Sequence, residues 1–524
     1  LVFDVELNAA GSNIIHFNNG KGDGIFTTKV SENYTDDQRG SIQLNAAEGN
    51  IIIGEGQNSS SKGNGDGIYT GTNNVAISLN GKYNYIFAGK NAVHSTASGD
   101  IIIQAVKPES EGDISTFADY VDYTNVLVGG TNGIWTEADG NTNVIADADN
   151  IIAGATNGIL SNGTSEIIVT AGNNNYIGQY IDENEQTVTS QTAINASSGT
   201  VSVTAGKENV ITATTNGVAS DGAGTLVSLS GASNTINVNN DAGAQVIGVD
   251  ATGNGTVDIS SSNGGFAVNL ETTGVRAYGI SAGRTTGGGG TISINTTGDI
   301  GVDITTGAPD ATGGNVDGVV AKNAGVITLN SGSNVIISTH SQVVEKPSNE
   351  GNDVSGIRAE GNGSVQVTAD GFISISNTDE NAAIYGIHGG KEGSVTVTAK
   401  GQNEYGYGVD IYAAGKMNQG VFAQNGSSII TAENGGIRVM TDGIESTNAV
   451  HTTASELDSS VTLDGQGDIY LSAHNDGIYL PNLTVSGLYT NAYSGLSAET
   501  AVTGKDIAIE ARSDNNATYG IYGY

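Results

Sequence analysis

Short runs of alternating apolar and polar residues are punctuated along this chain by a recurring pair, Gly-Ile or Gly-Val. The pair stands at Gly24-Ile25, Gly67-Ile68, Gly133-Ile134, Gly158-Ile159, Gly217-Val218 and Gly248-Val249, and again at Gly279-Ile280, Gly318-Val319, Gly356-Ile357, Gly386-Ile387, Gly420-Val421, Gly443-Ile444, Gly477-Ile478 and Gly520-Ile521. Ala replaces Gly at Ala92-Val93 and Ala193-Ile194. Between pairs, stretches such as Thr200-Val201-Ser202-Val203-Thr204-Ala205 alternate with period two, the signature of a strand with one buried and one wet face. After Gly217 the pattern predicts strands over 217–220, 226–230 and 235–238 with turns at 221–224 and 231–234. Capped segments of helical period are absent.

Strands this short are unstable alone. A unit that cannot bury its own apolar face, repeated many times, predicts a stack. The closest pairs lie roughly 23–25 residues apart, which suits three strands and three turns per rung. The chain therefore reads as all-β: one continuous parallel β-helix over 1–524, three-sided, with about sixteen rungs and a length of roughly 75–80 Å. Gly in the pair predicts a corner needing positive φ or close backbone approach. Asn before the third strand, at Asn150, Asn209, Asn234 and Asn334, predicts amides stacked along the axis. Wider intervals mark insertions near 29–39, 105–125, 178–191, 342–353 and 402–417, where a solenoid collects function.

Composition narrows the reading. The chain has 524 residues, with 78 Gly, 4 Pro and no Cys. Gly without a three-residue period excludes collagen. The absence of Cys excludes a disulfide framework, thiolate metal sites and a cysteine nucleophile. With 19 Lys plus Arg against 55 Asp plus Glu, the net charge of −36 argues against nucleic acid and anionic membrane surfaces as partners. No run approaches the roughly 20 apolar residues of a membrane helix. The start at Leu1-Val2-Phe3 and the stop at Gly523-Tyr524 read as cuts through a longer protein.

Candidate chemistry is sparse. The stretch 105–123 combines acids with aromatics, and the only Trp follows it. Phe117, Asp119, Tyr120, Asp122, Tyr123 and Trp135 are the candidate ligand-binding residues, because aromatic faces flanked by carboxylates suit sugar rings or a partner protein. Tyr69, Tyr479 and Tyr522, each following the pair, are expected to point outward and stack across rungs. Gly63-Asn64-Gly65-Asp66-Gly67 reads as a turn, since no tandem nonapeptide accompanies it. The six His are scattered, and His94 and His388, both two residues past the pair's first residue, are read as surface groups. No catalytic set, metal site or cofactor is expected.

On the Gly-Ile pairs, on units such as Ser165-Glu166-Ile167-Ile168-Val169-Thr170-Ala171-Gly172, on acidity and on the lack of Cys, the chain resembles the passenger region of a classical Gram-negative autotransporter of the adhesin or self-associating type. That resemblance implies a right-handed β-helix, exposure at the bacterial surface, and anchoring by an outer-membrane barrel outside this stretch. It also implies attachment to host or bacterial proteins or glycans, or to copies of itself. The alternatives are a tailspike-like polysaccharide lyase or glycosidase, which needs clustered acids and bases, and a non-binding stalk.

Overall fold

A computed structural model describes the chain except residues 1–3, 18–22, 29–40, 55–64, 72–74, 97, 108–122, 138, 183, 275, 285–287, 309–314, 344–352, 476–483, 494, 514–516 and 524. The fold is all-β and made of long parallel sheets, a parallel β-helix. It divides into two compact units, Leu1–Asn237 with Asp258–Ser260, and Val238–Val257 with Ser261–Tyr524.

In the first unit each turn of chain lays down one strand on each of three faces. Asp4–Ala9, Ser41–Ala46, Ala76–Gly81, Ile101–Ala105, Thr142–Ala146, Glu166–Ala171, Thr200–Ala205 and Leu226–Gly231 stack in parallel as the first face. The second runs from Asn13–Phe17 through Gly49–Gly54, Tyr83–Ala88, Thr124–Gly129 and Asn150–Gly154 to Asn175–Ile177. The third runs through Ile25–Thr28, Ile68–Gly71, Asn91–Ser95, Asn132–Thr136 and Asn157–Ser161. Pairing is in register, so like residues stack: Leu44, Leu79, Ile103, Val144, Val169, Val203 and Leu229 form one inward column. Each is buried, and each burial stabilises by about 1.5–3 kcal/mol.

The second unit repeats this plan. Its third face stacks Val249, Ile280, Val319, Ile357, Ile387, Val421, Val450 and Leu488 inward. Two expectations are corrected here. Gly443-Ile444 is not a corner pair: Ile444 is 47% exposed, and Ala449-Val450 fills the register position. The next rung uses Gly487-Leu488, which the Gly-Ile/Val pattern passes over. The rung of three strands and three turns is also not general, because Glu208–Asp221 runs unbroken across the second and third faces, as do Ile373–Gly390 and Tyr407–Gln424.

The pair's glycine is explained by close approach, not by φ. A Cβ on Gly356 would lie 2.3 Å from Ile375 Cγ2 and 2.8 Å from the Gly386 carbonyl oxygen. One on Gly67 would lie 2.3 Å from Ile86 Cγ2. Positive φ falls instead at the corner after the third face, where a two-residue turn recurs: Gly253-Asn254, Asn323-Ala324, Gly361-Asn362 and Lys391-Glu392. Each turn is closed by a glycine N–H donating three residues back, as from Gly393 to Gly390. Gly and Asn tolerate this left-handed backbone, but Ala324, Lys391 and Glu392 carry strain.

Of the expected insertions, 178–191 is an antiparallel hairpin, Gln179–Ile181 against the start of Thr187–Ala196. Its tip is held by Asp182 Oδ1, which accepts from the Asn184 and Gln186 N–H groups at 2.9 and 2.8 Å. Residues 402–417 form the tip before, and the first part of, Tyr407–Gln424. The cores of 29–39, 105–125 and 342–353 lie outside the described residues. The turn strain yields a prediction. Replacing Lys391-Glu392 by Asn-Gly is expected to stabilise the fold by about 1–2 kcal/mol, read as a higher urea midpoint; an unchanged or lower midpoint would show that the turn is not strained.

Candidate binding surface

If Ile25, Ile68, Val93, Ile134 and Ile159 point inward on the third face of the first unit, the residue after each points outward. Phe26, Tyr69, His94, Trp135 and Leu160 therefore share one outer column, fixed by register. Phe26 and Tyr69 stack with ring centres 5.2 Å apart. Tyr69 meets His94 edge-on at 5.1 Å, and His94 lies flat on Trp135 at 4.2 Å and 2°. Lys90 Nζ stands 5.7 Å from the centre of the Trp135 ring. Exposure varies along the column: Phe26 is 53% exposed, Tyr69 and Trp135 are half-buried, and His94 between them is 4% exposed.

A buried carboxylate orders this column. Asp66, 3% exposed, accepts from the Asn91 backbone N–H and side-chain amide on Oδ1 at 3.2 and 2.6 Å. Its Oδ2 lies 2.9 Å from His94 Nδ1. A carboxylate only accepts, so Nδ1 carries the proton and the ring is fixed in orientation. Nε2 is buried without a hydrogen-bond partner, 3.6 Å from Glu137 Oε2. Asn132 donates to Asn91 and Asn157 to Asn132, each at 2.8 Å, so Asp66 heads a line of aligned amides. The turn reading of 63–67 thus gains a specific role for its one acid.

Of the candidate residues, Phe117, Asp119, Tyr120 and Asp122 lie outside the described residues. Tyr123 is 5% exposed, has φ 68°, and leads into the second-face strand Thr124–Gly129. Trp135 stands on the third face, so the structure places these two on different faces. Sequence reasoning missed Asp66 and misplaced His94 and His388: both histidines are buried, at 4% and 6% exposure. The signal was their shared position two residues past the start of the pair, which puts them in a stack rather than in solvent.

The second unit carries its own outer column at that position: Arg358, His388, Phe422, His451, Tyr489 and Tyr522. Neighbouring rings from His388 to Tyr522 lie 4.5–5.1 Å apart, so the expected stacking of Tyr69 and Tyr522 is found; Tyr479 lies outside the described residues. Arg358 binds Glu360 Oε1 at 2.6 Å, Asp353 at 3.4 Å and Asp317 at 3.8 Å. Burial works against its charge, but these carboxylates more than offset that and raise its pKa. Burial pushes the fully buried Asp317 carboxyl upward, partly countered by Arg358. Burial, followed by the neighbouring Arg358 charge, lowers the His388 pKa to about 3; burial lowers His451 to about 4.

Tyr405, 67% exposed, ends a smaller group in which Arg438 lies 4.9 Å from Tyr407, 5.6 Å from Tyr405, and pairs with Asp410. Among the described residues no group of three or more His, Asp or Glu side chains could hold a metal ion. No family model, curated protein or solved structure matches the chain.

The buried imidazole sets a pH dependence. Unfolded histidine titrates near 6.5, whereas folded His388 takes a proton only near pH 3. The unfolded chain therefore binds more protons between these values, and stability present above pH 6.5 is lost as pH falls towards 3. His388→Phe keeps a ring between Tyr385 and Phe422 and is expected to remove about 2–4 kcal/mol of that loss. Parallel urea-unfolding curves of variant and parent between pH 7.5 and 4 would contradict this.

Proposed function

We propose that this chain is the passenger region of an autotransporter, displayed at the bacterial surface, and that it works as an adhesin through its outer columns, chiefly the one ending at Trp135. The observation that carries this reading is the Phe26–Tyr69–His94–Trp135 stack, locked by Asp66 on a strand-paired face. Aromatic faces held rigid before a ligand arrives lose little entropy on binding, and they suit sugar rings and protein side chains alike. Repeated weak contacts along such a surface gain strength through multivalency between cells. The strong acidity suits a surface that is soluble and selective.

Trp135 is the only tryptophan, so its fluorescence reports on this column alone. Cells displaying the chain are expected to clump or attach. Trp135→Ala should weaken attachment by about 2 kcal/mol, roughly 30-fold in affinity, and a bound glycan or protein should shift or quench Trp135 emission. Cells that neither clump nor attach, or a Trp135→Ala chain that attaches as well as its parent, would overturn the reading.

A further inference from the structure

In the first unit, the corner where the first face gives way to the second is hollow. A groove of about 450 Å³ opens there, within the size range of small-ligand sites. Its wall is a row of in-register amides, Asn8, Asn45 and Asn80, at the ends of Asp4–Ala9, Ser41–Ala46 and Ala76–Gly81. Its floor is small: the backbone of Ala9, Ala46 and Gly81, whose side-chain positions turn inward after Leu7, Leu44 and Leu79, and beyond it the exposed Ala10 and Ala47. The absence of bulk at these positions is what leaves the corner open. Val106, 37% exposed, closes the far end, after Ala105 pairs with Gly81.

The amides are aligned. Asn80 donates to Asn45 Oδ1 at 2.8 Å, and Asn45 donates to Asn8 Oδ1 at 3.0 Å. A primary amide has two hydrogens and two acceptor lone pairs: Asn45 keeps one of each, Asn8 keeps one of each after donating to Glu6 at 2.9 Å, and Asn80, whose second hydrogen goes to Ser78 Oγ at 3.1 Å, keeps its carbonyl oxygen. A side chain that both donates and accepts matches neighbouring hydroxyls on a sugar ring, and Ala methyls suit that ring's C–H face. The single cation in the lining, Lys82, already faces Glu48 at 3.9 Å, and the chain carries a net charge of −36. An anionic ligand is therefore disfavoured. Amides recur once per rung, about every 4.8 Å along the axis, close to the length of one sugar ring in an extended chain.

We propose that this groove binds an extended, uncharged oligosaccharide, one ring per rung, with Asn8, Asn45 and Asn80 taking its hydroxyls and Ala10 and Ala47 its apolar face. The site is separate from the Trp135 column and stands whether or not that column binds anything.

Calorimetric titration of the whole chain with cellohexaose, an extended chain, and maltohexaose, a coiled chain of the same sugar, tests this. Cellohexaose should bind and maltohexaose should bind at least tenfold more weakly. Ala47→Phe, which fills the groove, and Asn45→Ala, which removes one amide, should each lower cellohexaose affinity at least tenfold, while Asn295→Ala, which removes an exposed amide from Thr291–Thr296 in the second unit, leaves it unchanged. Circular dichroism identifies a variant that fails to fold, and the other variant then decides. No binding of cellohexaose, equal binding of maltohexaose, or full binding by a folded groove variant would overturn the proposal. Loss of binding in a folded Asn295→Ala chain would do so too, by placing the sugar on the second unit.

Discussion

The first unit depends on one line of buried amides. Asn13, Asn50, Asn84, Asn125, Asn150, Asn175, Asn209 and Asn234 stack at the entry to the second face, each side-chain N–H donating to the next carbonyl oxygen at 2.7–2.9 Å. Most also donate to a backbone carbonyl at the end of the adjoining first face, as Asn125 does to Ile145 and Asn150 to Thr170, both at 2.8 Å. The line therefore ties two faces together as well as successive rungs. Apolar columns alone tolerate slippage, since Ile and Val stack in many ways. An amide buried in this setting tolerates none, because an unmade hydrogen bond there costs about 1–3 kcal/mol. Register is thus held by polar atoms and filled by apolar ones.

Once register is fixed, outward residues are fixed as well, and this links fold to surface chemistry. The residue after each inward Ile or Val must lie in line with its counterparts, so Phe26, Tyr69, His94 and Trp135 stack because Ile25, Ile68, Val93 and Ile134 do. The same logic sets Arg358, His388, Phe422, His451, Tyr489 and Tyr522 in line in the second unit, and Asn8, Asn45 and Asn80 along the groove. A solenoid turns a residue choice repeated at one position of the rung into an extended surface. Glycine before the inward residue serves this by letting the third face close onto the second-face side chains.

Much of this was legible in the sequence. Period-two alternation marked the strands, the Gly-Ile pair marked the inward residues, and Asn150, Asn209 and Asn234 announced the amide line. What escaped had physical reasons. Gly443-Ile444 has the right letters but ends the strand Gly436–Gly443, while Ala449-Val450 does the packing with a residue less distinctive than Gly. The continuous strand through Gly217 was hidden because a bend between two faces needs no turn residue. Asp66 sits in a glycine-rich stretch that looks like a loop, and its partners, Asn91 and His94, arrive a full rung later in sequence. Burial of His94 and His388 follows from stacking between rungs, which a single sequence shows only once the register is known.

The most direct test of this account is unfolding of the Asn125→Ala chain in urea, followed with hydrogen exchange. Asn125 is fully buried, donates to Asn150 and Ile145, and accepts from Asn84. Its loss leaves buried amides unpaired on both sides, so the account predicts a drop of about 3 kcal/mol and faster exchange in Tyr83–Ala88 and Asn150–Gly154 as well as in Thr124–Gly129. A stability unchanged from the parent, with exchange altered only at the substituted strand, would contradict the claim that the amide line holds the register.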